Sequence, residues 1–156
     1  MTSSPLVSVC IASYNHERFV EEAVHSVIEQ SYSNWELIVV DDASTDGSVE
    51  LLRALAKRHP DKFKLILLEE NMGPSGALNR AIGESRGEYI ASLGSDDRMC
   101  QGRLEKQVEY LGENPGIATV FSQVSGIDAA GAPSNATNVI FDKPMTDIRS
   151  QLLLGN

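Results

Sequence analysis

Glu36-Leu37-Ile38-Val39-Val40 runs directly into Asp41-Asp42, and further along Glu88-Tyr89-Ile90-Ala91-Ser92-Leu93 runs into Gly94-Ser95-Asp96-Asp97. Each stretch is an apolar run of strand length that ends in an acidic pair. Near-continuous apolar runs, in place of strict alternation, mark strands covered on both faces, which is the habit of parallel sheets. Ligands of such sheets bind beyond the carboxyl ends of the strands. Carboxylates gathered there repel one another unless a cation or a hydrogen-bond donor satisfies them. The two pairs together predict one site that holds a divalent metal and a polar, donor-bearing ligand.

Outward from these runs, strands and helices alternate. Residues 6–12 form a near-continuous apolar run and read as the first strand; Ser13-Tyr14-Asn15 ends it, and Asn15 suits the N-cap of the next helix. A helix over residues 16–30 places Phe19, Val20, Ala23, Val24, Val27 and Ile28 on one face. The second strand covers residues 35–40, and Ala43-Ser44-Thr45-Asp46-Gly47 is a tight turn rich in capping residues. A second helix carries Val49, Leu52, Leu55 and Ala56 on its stripe and stops at Pro60. The third strand spans 63–68, the loop 71–76 leads to a third helix over 75–85, and the fourth strand spans 88–93. Leu104, Val108 and Leu111 mark a fourth helix closed by Asn114-Pro115. Residues 117–124 read as a fifth strand, 128–131 as a turn, and 147–154 as a last helix capped by Thr146 or Asp147. The order predicts an α/β fold, a mostly parallel sheet flanked by helices on both faces and joined by right-handed crossovers. One domain over residues 1–156 is expected, and Leu152-Leu153-Leu154 near its end calls for partner elements beyond the chain.

The bulk numbers narrow the function classes. A chain of 156 residues builds one domain with a sizeable core. Its 42% hydrophobic and 22% charged residues are ordinary for a globular protein. No apolar run approaches the ~18 residues of a membrane span, and the apolar stretch 7–12 is too short for a signal peptide. A net charge of −9 disfavours nucleic acid and anionic lipid as partners. It admits an anionic small molecule that arrives with a metal ion. Cys10 and Cys100 show neither metal spacing nor a disulfide framework, so Cys10 reads as a small buried hydrophobe and the setting as reducing and cytoplasmic. The absence of a Gly-x-x-x-x-Gly-Lys-Ser/Thr loop, and of Gly-x-Gly-x-x-Gly after the first strand, counts against P-loop and nicotinamide enzymes.

Several residues have both a functional and a plain reading. Asp42 suits an imide N–H or a ribose hydroxyl, because a carboxylate only accepts at neutral pH. In the plain reading, one of Asp41 and Asp42 caps the following turn and the other is solvated. Asp96 and Asp97 suit a hard cation, Mn²⁺ or Mg²⁺, bridged to a diphosphate; the alternative is an N-cap for the helix starting near Gly102. Tyr14 can stack on a flat base. Gly73 permits a positive φ or the close approach of a ligand. Asn79 is either a ligand contact or a polar residue on a helix surface. His16, His25 and His59 lack ligand spacing and read as surface groups.

These blocks carry a resemblance. Val7-Ser8-Val9-Cys10-Ile11-Ala12-Ser13-Tyr14-Asn15, residues 35–47, Asn71-Met72-Gly73 with Ala77 and Asn79, and Gly87-Glu88-Tyr89-Ile90 leading to Ser95-Asp96-Asp97 resemble glycosyltransferase family 2, in order and spacing, over nearly the whole chain. The resemblance implies a GT-A fold, a nucleotide-diphosphate sugar donor (commonly a UDP-sugar), and transfer with inversion to a carbohydrate or lipid-linked acceptor. It implies that Ala12, Ser13 and Tyr14 border the nucleotide with Gly73 and Asn79, and that Asp42 bonds uracil or ribose. It also implies that Asp96 is the metal-binding acid of a D-x-D-type motif, with Asp97 beside it. The chain departs from the pattern at Gly94, where the first Asp of D-x-D is usual, and at Leu78, where an Arg is common. The resemblance puts the catalytic base and the acceptor site beyond Asn156. It further implies polysaccharide biosynthesis at the cytoplasmic side, peripheral to the inner face of the membrane in a longer protein. Two other classes stay open at this point: a sugar-nucleotide-binding module without catalysis, and a signalling receiver domain. The latter fits poorly, since it needs its acidic pair after the first strand and a phosphorylatable Asp after the third.

Overall fold

The computed structural model describes residues 4–128, 131, 132 and 134. The chain divides into two compact units, residues 1–118 and 119–156. In the first unit the elements follow the order β1 (Val7–Ser13), α1 (Val20–Ile28), β2 (Trp35–Asp41), α2 (Ser48–Arg58), β3 (Phe63–Leu67), α3 (Gly73–Gly83), β4 (Tyr89–Gly94) and α4 (Arg103–Glu113). The strands form one parallel sheet in the order β3-β2-β1-β4.

The apolar runs become the central strands. Every residue of β2 is buried, and β1 is buried except at Ala12. Side chains alternate between the faces of a strand, and two core layers result. Val7, Val9, Ile11, Leu37 and Val39 pack with Val20, Val24 and Val27 of α1, Leu52 and Leu55 of α2, and Leu104 of α4. Cys10, Ile38 and Val40 pack on the other face against Ala77 and Ala81 of α3, with Leu78 at the margin. The α/β layering with helices on both faces is therefore as the sequence pattern requires, and Cys10 is the small buried hydrophobe it was read as.

Some expectations need correction. α1 begins at Val20, because residues 17–19 form a turn in which the Phe19 and Val20 amides donate to the His16 carbonyl, both at 2.9 Å. Asn15 does not cap α1: it sits at φ 52°, in the left-handed region, and its Oδ1 accepts from the Thr45 amide instead. No strand runs through residues 117–123; the Ile117 amide closes a turn onto the Asn114 carbonyl at 2.9 Å. In the second unit, Val124 and Ile127 make isolated bridges only, and Phe121, Val124 and Ile127 are exposed. An apolar run becomes a strand only when a neighbour pairs with it along a continuous ladder, and apolarity alone does not supply one. At the turn expected over 128–131, the Gly131 amide donates to the Asp128 carbonyl at 2.8 Å; residues 129 and 130 lie outside the described residues. The helix expected at 147–154 lies outside the described residues.

A polar brace holds the amino edge of the sheet. Glu36 is 7% exposed. Its Oε1 accepts from Ser8 Oγ at 2.7 Å and from the Arg86 amide at 2.8 Å, and its Oε2 accepts from Arg86 Nε and Nη2 at 3.0 and 2.7 Å. Gly87 follows Arg86 because a Cβ there would lie 2.6 Å from the Ser8 nitrogen and 2.8 Å from the Leu6 oxygen. Burial raises the Glu36 carboxyl pKa, but the bonds from Ser8 and Arg86 outweigh it and hold the group below its ordinary value. A depressed carboxylate contributes stability above its unfolded pKa and loses it as pH falls through the folded value. Stability should therefore decline as pH drops below about 4.3. Glu36→Gln should cost about 1–3 kcal/mol at neutral pH and flatten that decline, as read by urea unfolding across the acid range.

Candidate functional site

Register decides where the chemistry collects. Ser13 of β1 pairs with Asp41 of β2, and Ala12 pairs with Gly94 of β4. The carboxyl ends of these strands are level, so the residues that follow them share one rim. Ala12 is half-buried against the Cys10 layer. Ser13 is 1% exposed and its Oγ meets no hydrogen-bond partner among the described residues. Tyr14 stands out at 45% exposed, a ring with a free face.

Asp41 ends β2 and Asp42 follows it; both are buried. Asp41 holds the turn, with Oδ1 accepting from the Ser44 amide at 2.9 Å and Oδ2 from Ser44 Oγ at 2.7 Å. Asp42 is not the solvated partner of the plain reading. Its amide donates to the Ser13 carbonyl at 2.8 Å, extending the ladder. Its carbonyl accepts from Asn71 Nδ2 at 3.1 Å and its Oδ1 from the Met72 amide at 2.7 Å, which ties it to the start of α3. These bonds use Oδ1 alone. Ala43 follows at φ 61°, a conformation that costs an L-residue with a Cβ roughly 1–2 kcal/mol.

Gly73 opens α3 with φ +77°, and nothing lies within 4 Å of a Cβ built there, so the positive φ, and not crowding, favours glycine at this position. Asn79 is exposed on α3, roughly 9 Å along the axis from Gly73 at ~1.5 Å per residue. Leu78 packs against the Cys10 layer.

At the end of β4 the Asp97 amide turns back to the Gly94 carbonyl at 3.1 Å. Asp96 and Asp97 are exposed, whereas Ser95 between them and Gly94 is buried. A Cβ on Gly94 would meet Asp97 Oδ2 at 2.6 Å and Asp96 Oδ1 at 2.9 Å. Both carboxylates thus lean over the bare Cα and occupy the volume that a side chain at 94 would take. Neither side chain caps α4, whose N-cap is Gly102 in the left-handed conformation without a side-chain bond. Among the described residues no three His, Cys, Asp or Glu side chains form a metal cluster. Two exposed carboxylates instead fit a hard cation whose remaining ligands are phosphate oxygens and water, the usual arrangement for Mg²⁺ with a bound phosphate ligand. The site is suited to a cation that comes with its ligand.

Two contributors escaped the sequence reading. His16 is more than a surface group: it is half-buried, and its Nδ1 lies 2.7 Å from Ser95 Oγ. That partner is 79 residues away in the chain, so no local spacing announces it. His25 fits the surface reading, with Glu21 at 3.8 Å. Arg103, at the first turn of α4, reaches toward the Ser92 carbonyl at 3.4 Å. Burial lowers its guanidinium pKa, against the opposing pull of Cys100 and Asp97, which puts a half-buried cation within electrostatic reach of Asp97.

Comparison with known proteins adds to this geometry. A family model described as "Glycosyl transferase family 2" matches residues 8–154. TuaG of Bacillus subtilis (strain 168), provisionally named a teichuronic acid biosynthesis glycosyltransferase, is 44% identical over 109 residues, 70% of this chain and 43% of that protein. The uncharacterized glycosyltransferase alr2836 of Nostoc is 38% identical over 147 residues, 94% of this chain and 45% of that protein. The chain spans less than half the length of these relatives. Among solved structures, the mannosyltransferase PcManGT from Pyrobaculum calidifontis, in complex with GDP-Man and Mn²⁺, superposes with a TM-score of 0.67 at 32% identity, over 72% of this chain and 34% of that one. Staphylococcus aureus TarS 1-349 in complex with UDP gives 0.65 at 28% identity, over 70% and 32%.

Two substitutions probe the rim. Ala43→Gly should raise stability by about 1 kcal/mol, measured as an upward shift of the urea midpoint at constant m-value. Gly94→Ala should leave thermal stability nearly unchanged, because the atoms it displaces are the free ends of exposed side chains. A large loss of stability would show that the Asp96 and Asp97 side chains are fixed in place.

Proposed function

The chain belongs to glycosyl transferase family 2, and on that premise we propose that it is the donor-binding part of an inverting, metal-assisted glycosyltransferase. Its donor is a nucleoside-diphosphate sugar, with UDP as the favoured nucleotide. The observation that carries this reading is the level rim: Tyr14, Asp42, and the Asp96-Asp97 pair follow strands whose ends are in register. The complexes of PcManGT with GDP-Man and Mn²⁺ and of TarS with UDP support a nucleotide sugar as the ligand class. The receiver alternative has no support, since strand β1 ends in Ser13, followed by Tyr14 and not by an acidic pair, and the family is that of transferases.

Each rim residue has a task that its surroundings suit. Tyr14 offers a ring for stacking on the base, beside Ala12 and the unpartnered Ser13 hydroxyl. Asp42, held rigid by Ser13, Asn71 and Met72, offers its second oxygen to a base N–H or ribose hydroxyl. The left-handed Gly73 leaves open space in which a ligand can approach the backbone; Asn79 is the outermost candidate. Asp96 and Asp97 hold Mn²⁺ or Mg²⁺. When bound, that ion offsets the charge of the diphosphate and stabilises the departing nucleotide, usually the largest contribution in such sites. Without a cation, the two carboxylates repel the diphosphate in a protein already carrying −9. Deprotonation of the acceptor needs a base within hydrogen-bond reach of the attacking hydroxyl, and no rim residue is assigned that task.

A carbohydrate or lipid-linked acceptor in polysaccharide biosynthesis is the favoured destination, in line with the name of TuaG. Among the described residues no helix is long and apolar enough to cross a membrane. We place the activity on the cytoplasmic side, where nucleotide sugars are available. The test is calorimetric titration of UDP, and of GDP for comparison, with and without Mn²⁺. Asp96→Ala should lower the Mn²⁺-dependent affinity about tenfold or more and, with one repelling carboxylate gone, leave the metal-free affinity no lower than that of the wild type. Unchanged metal-dependent binding would remove Asp96 from the site.

A further inference from the structure

His16 belongs to no motif that the donor-binding reading uses, yet it joins three loops of the rim. Its amide donates to Ser48 Oγ at 3.0 Å, at the first residue of α2. The Ser48 amide donates to Asp46 Oδ1, and the Glu17 amide to Asp46 Oδ2, both at 3.0 Å. Glu17 Oε2 in turn accepts from the Gly47 amide at 2.7 Å. The backbone of residues 16–17 is thereby locked to the loop that follows β2. From this fixed base the imidazole reaches out of the β1–α1 loop to Ser95 Oγ at 2.7 Å. The ring is also held by the edge of Phe19, with centroids 6.2 Å apart and planes at 82°. Ser95 is 3% exposed and lies between Gly94 and the exposed pair Asp96-Asp97.

We propose that His16 is a positioning residue that clasps the acidic loop through Ser95 and so couples the nucleotide rim to the cation-holding carboxylates. Gly94 makes such a clasp necessary. With no side chain at 94 to pack against the two carboxylates that lean over it, β4 holds the acidic loop by the Asp97 amide bond to the Gly94 carbonyl. The Ser95–His16 bond ties the residue between them and the strand to the rigid loops after β1 and β2. Removing it frees the acidic loop to sample conformations in which Asp96 and Asp97 diverge, and cation binding then bears the ordering cost. Nucleotide contacts at Tyr14 and Asp42 remain in place, because the bonds of Asn15, Asp41 and Asp42 do not pass through the imidazole.

The inference rests on the donor-binding reading, and the experiment separates the two. UDP affinity is measured with and without Mn²⁺ for the wild type, His16→Ala, His16→Asn, Ser95→Ala and the double variant His16→Ala/Ser95→Ala. Amide hydrogen exchange of residues 95–97 is followed in the ligand-free proteins. His16→Ala should weaken Mn²⁺-dependent binding roughly three- to tenfold, leave metal-free binding unchanged, and speed exchange of the Asp97 amide. His16→Asn, whose amide falls near the position of Nδ1, should restore most of the loss. The double variant should be no worse than either single one, as expected of two groups that act through one bond. Should His16→Ala not fold, Ser95→Ala must show the same metal-selective loss. Equal losses with and without Mn²⁺, additive losses, or unchanged Asp97 exchange would overturn the clasp while leaving the donor site intact. A wild-type protein whose UDP affinity ignores Mn²⁺ would overturn the donor-binding reading, and the clasp with it.

Discussion

The level pairing of parallel strands is the constraint on which everything else rests. Ser13 stands opposite Asp41, and Ala12 opposite Gly94. A shift of one residue in either pairing would turn every side chain of that strand to the other face, sending Asp42 toward the α1–α2 layer and the core valines of β1 toward α3. The apolar composition of β1 and β2 forbids such a shift, because both core layers need their own residues. Burial energy, distributed over the whole strand, therefore fixes the position of a few polar atoms at its end.

The two edges of the sheet use their polar groups differently. At the amino edge, Glu36 has all its visible bonding capacity spent on Ser8 and Arg86, and Gly87 leaves no room for a side chain. That arrangement is closed and braces the fold. At the carboxyl edge, Asp42 is buried with one oxygen engaged, Ser13 Oγ is buried without a partner among the described residues, and Asp96 and Asp97 face solvent. Buried polar groups are normally satisfied, and the spare capacity of this rim is what supports the proposal that the ligand binds there. The backbone follows the same division: Asn15 and Ala43, the non-glycine residues at positive φ among those described, both lie on this edge. Strain of this kind collects at functional sites.

Departures from the family pattern have local physical accounts. Gly94 does not leave a hole, since the neighbouring carboxylates fill it. Leu78, where an arginine is common in the family, joins the small-residue layer under α3 and enlarges its apolar contact. The layered fold was legible from β1, β2 and β4 because these segments are apolar runs punctuated by turn and acidic residues, and the family from the resemblance that the same blocks and the loop at Asn71 carry. The strand expected at 117–124 was not, because apolarity alone cannot tell a strand from an exposed irregular segment. Asn15 was misread as a helix cap because its true partner, Thr45, is 30 residues away.

By itself, the sequence determined the alternation of elements, the parallel sheet, the two acidic pairs at strand ends and the family. The elements, the sheet and the placing of the acidic pairs follow from periodicity and short-range chemistry, which the chain carries locally; the family follows from the resemblance of its motif blocks. Tertiary structure alone decided that Asp41 serves the turn while Asp42 serves the rim, that both acids of the second pair fold over Gly94, and that His16 reaches Ser95. Those facts depend on which distant backbone donors arrive at each carboxylate or hydroxyl, and only the packed sheet brings them there.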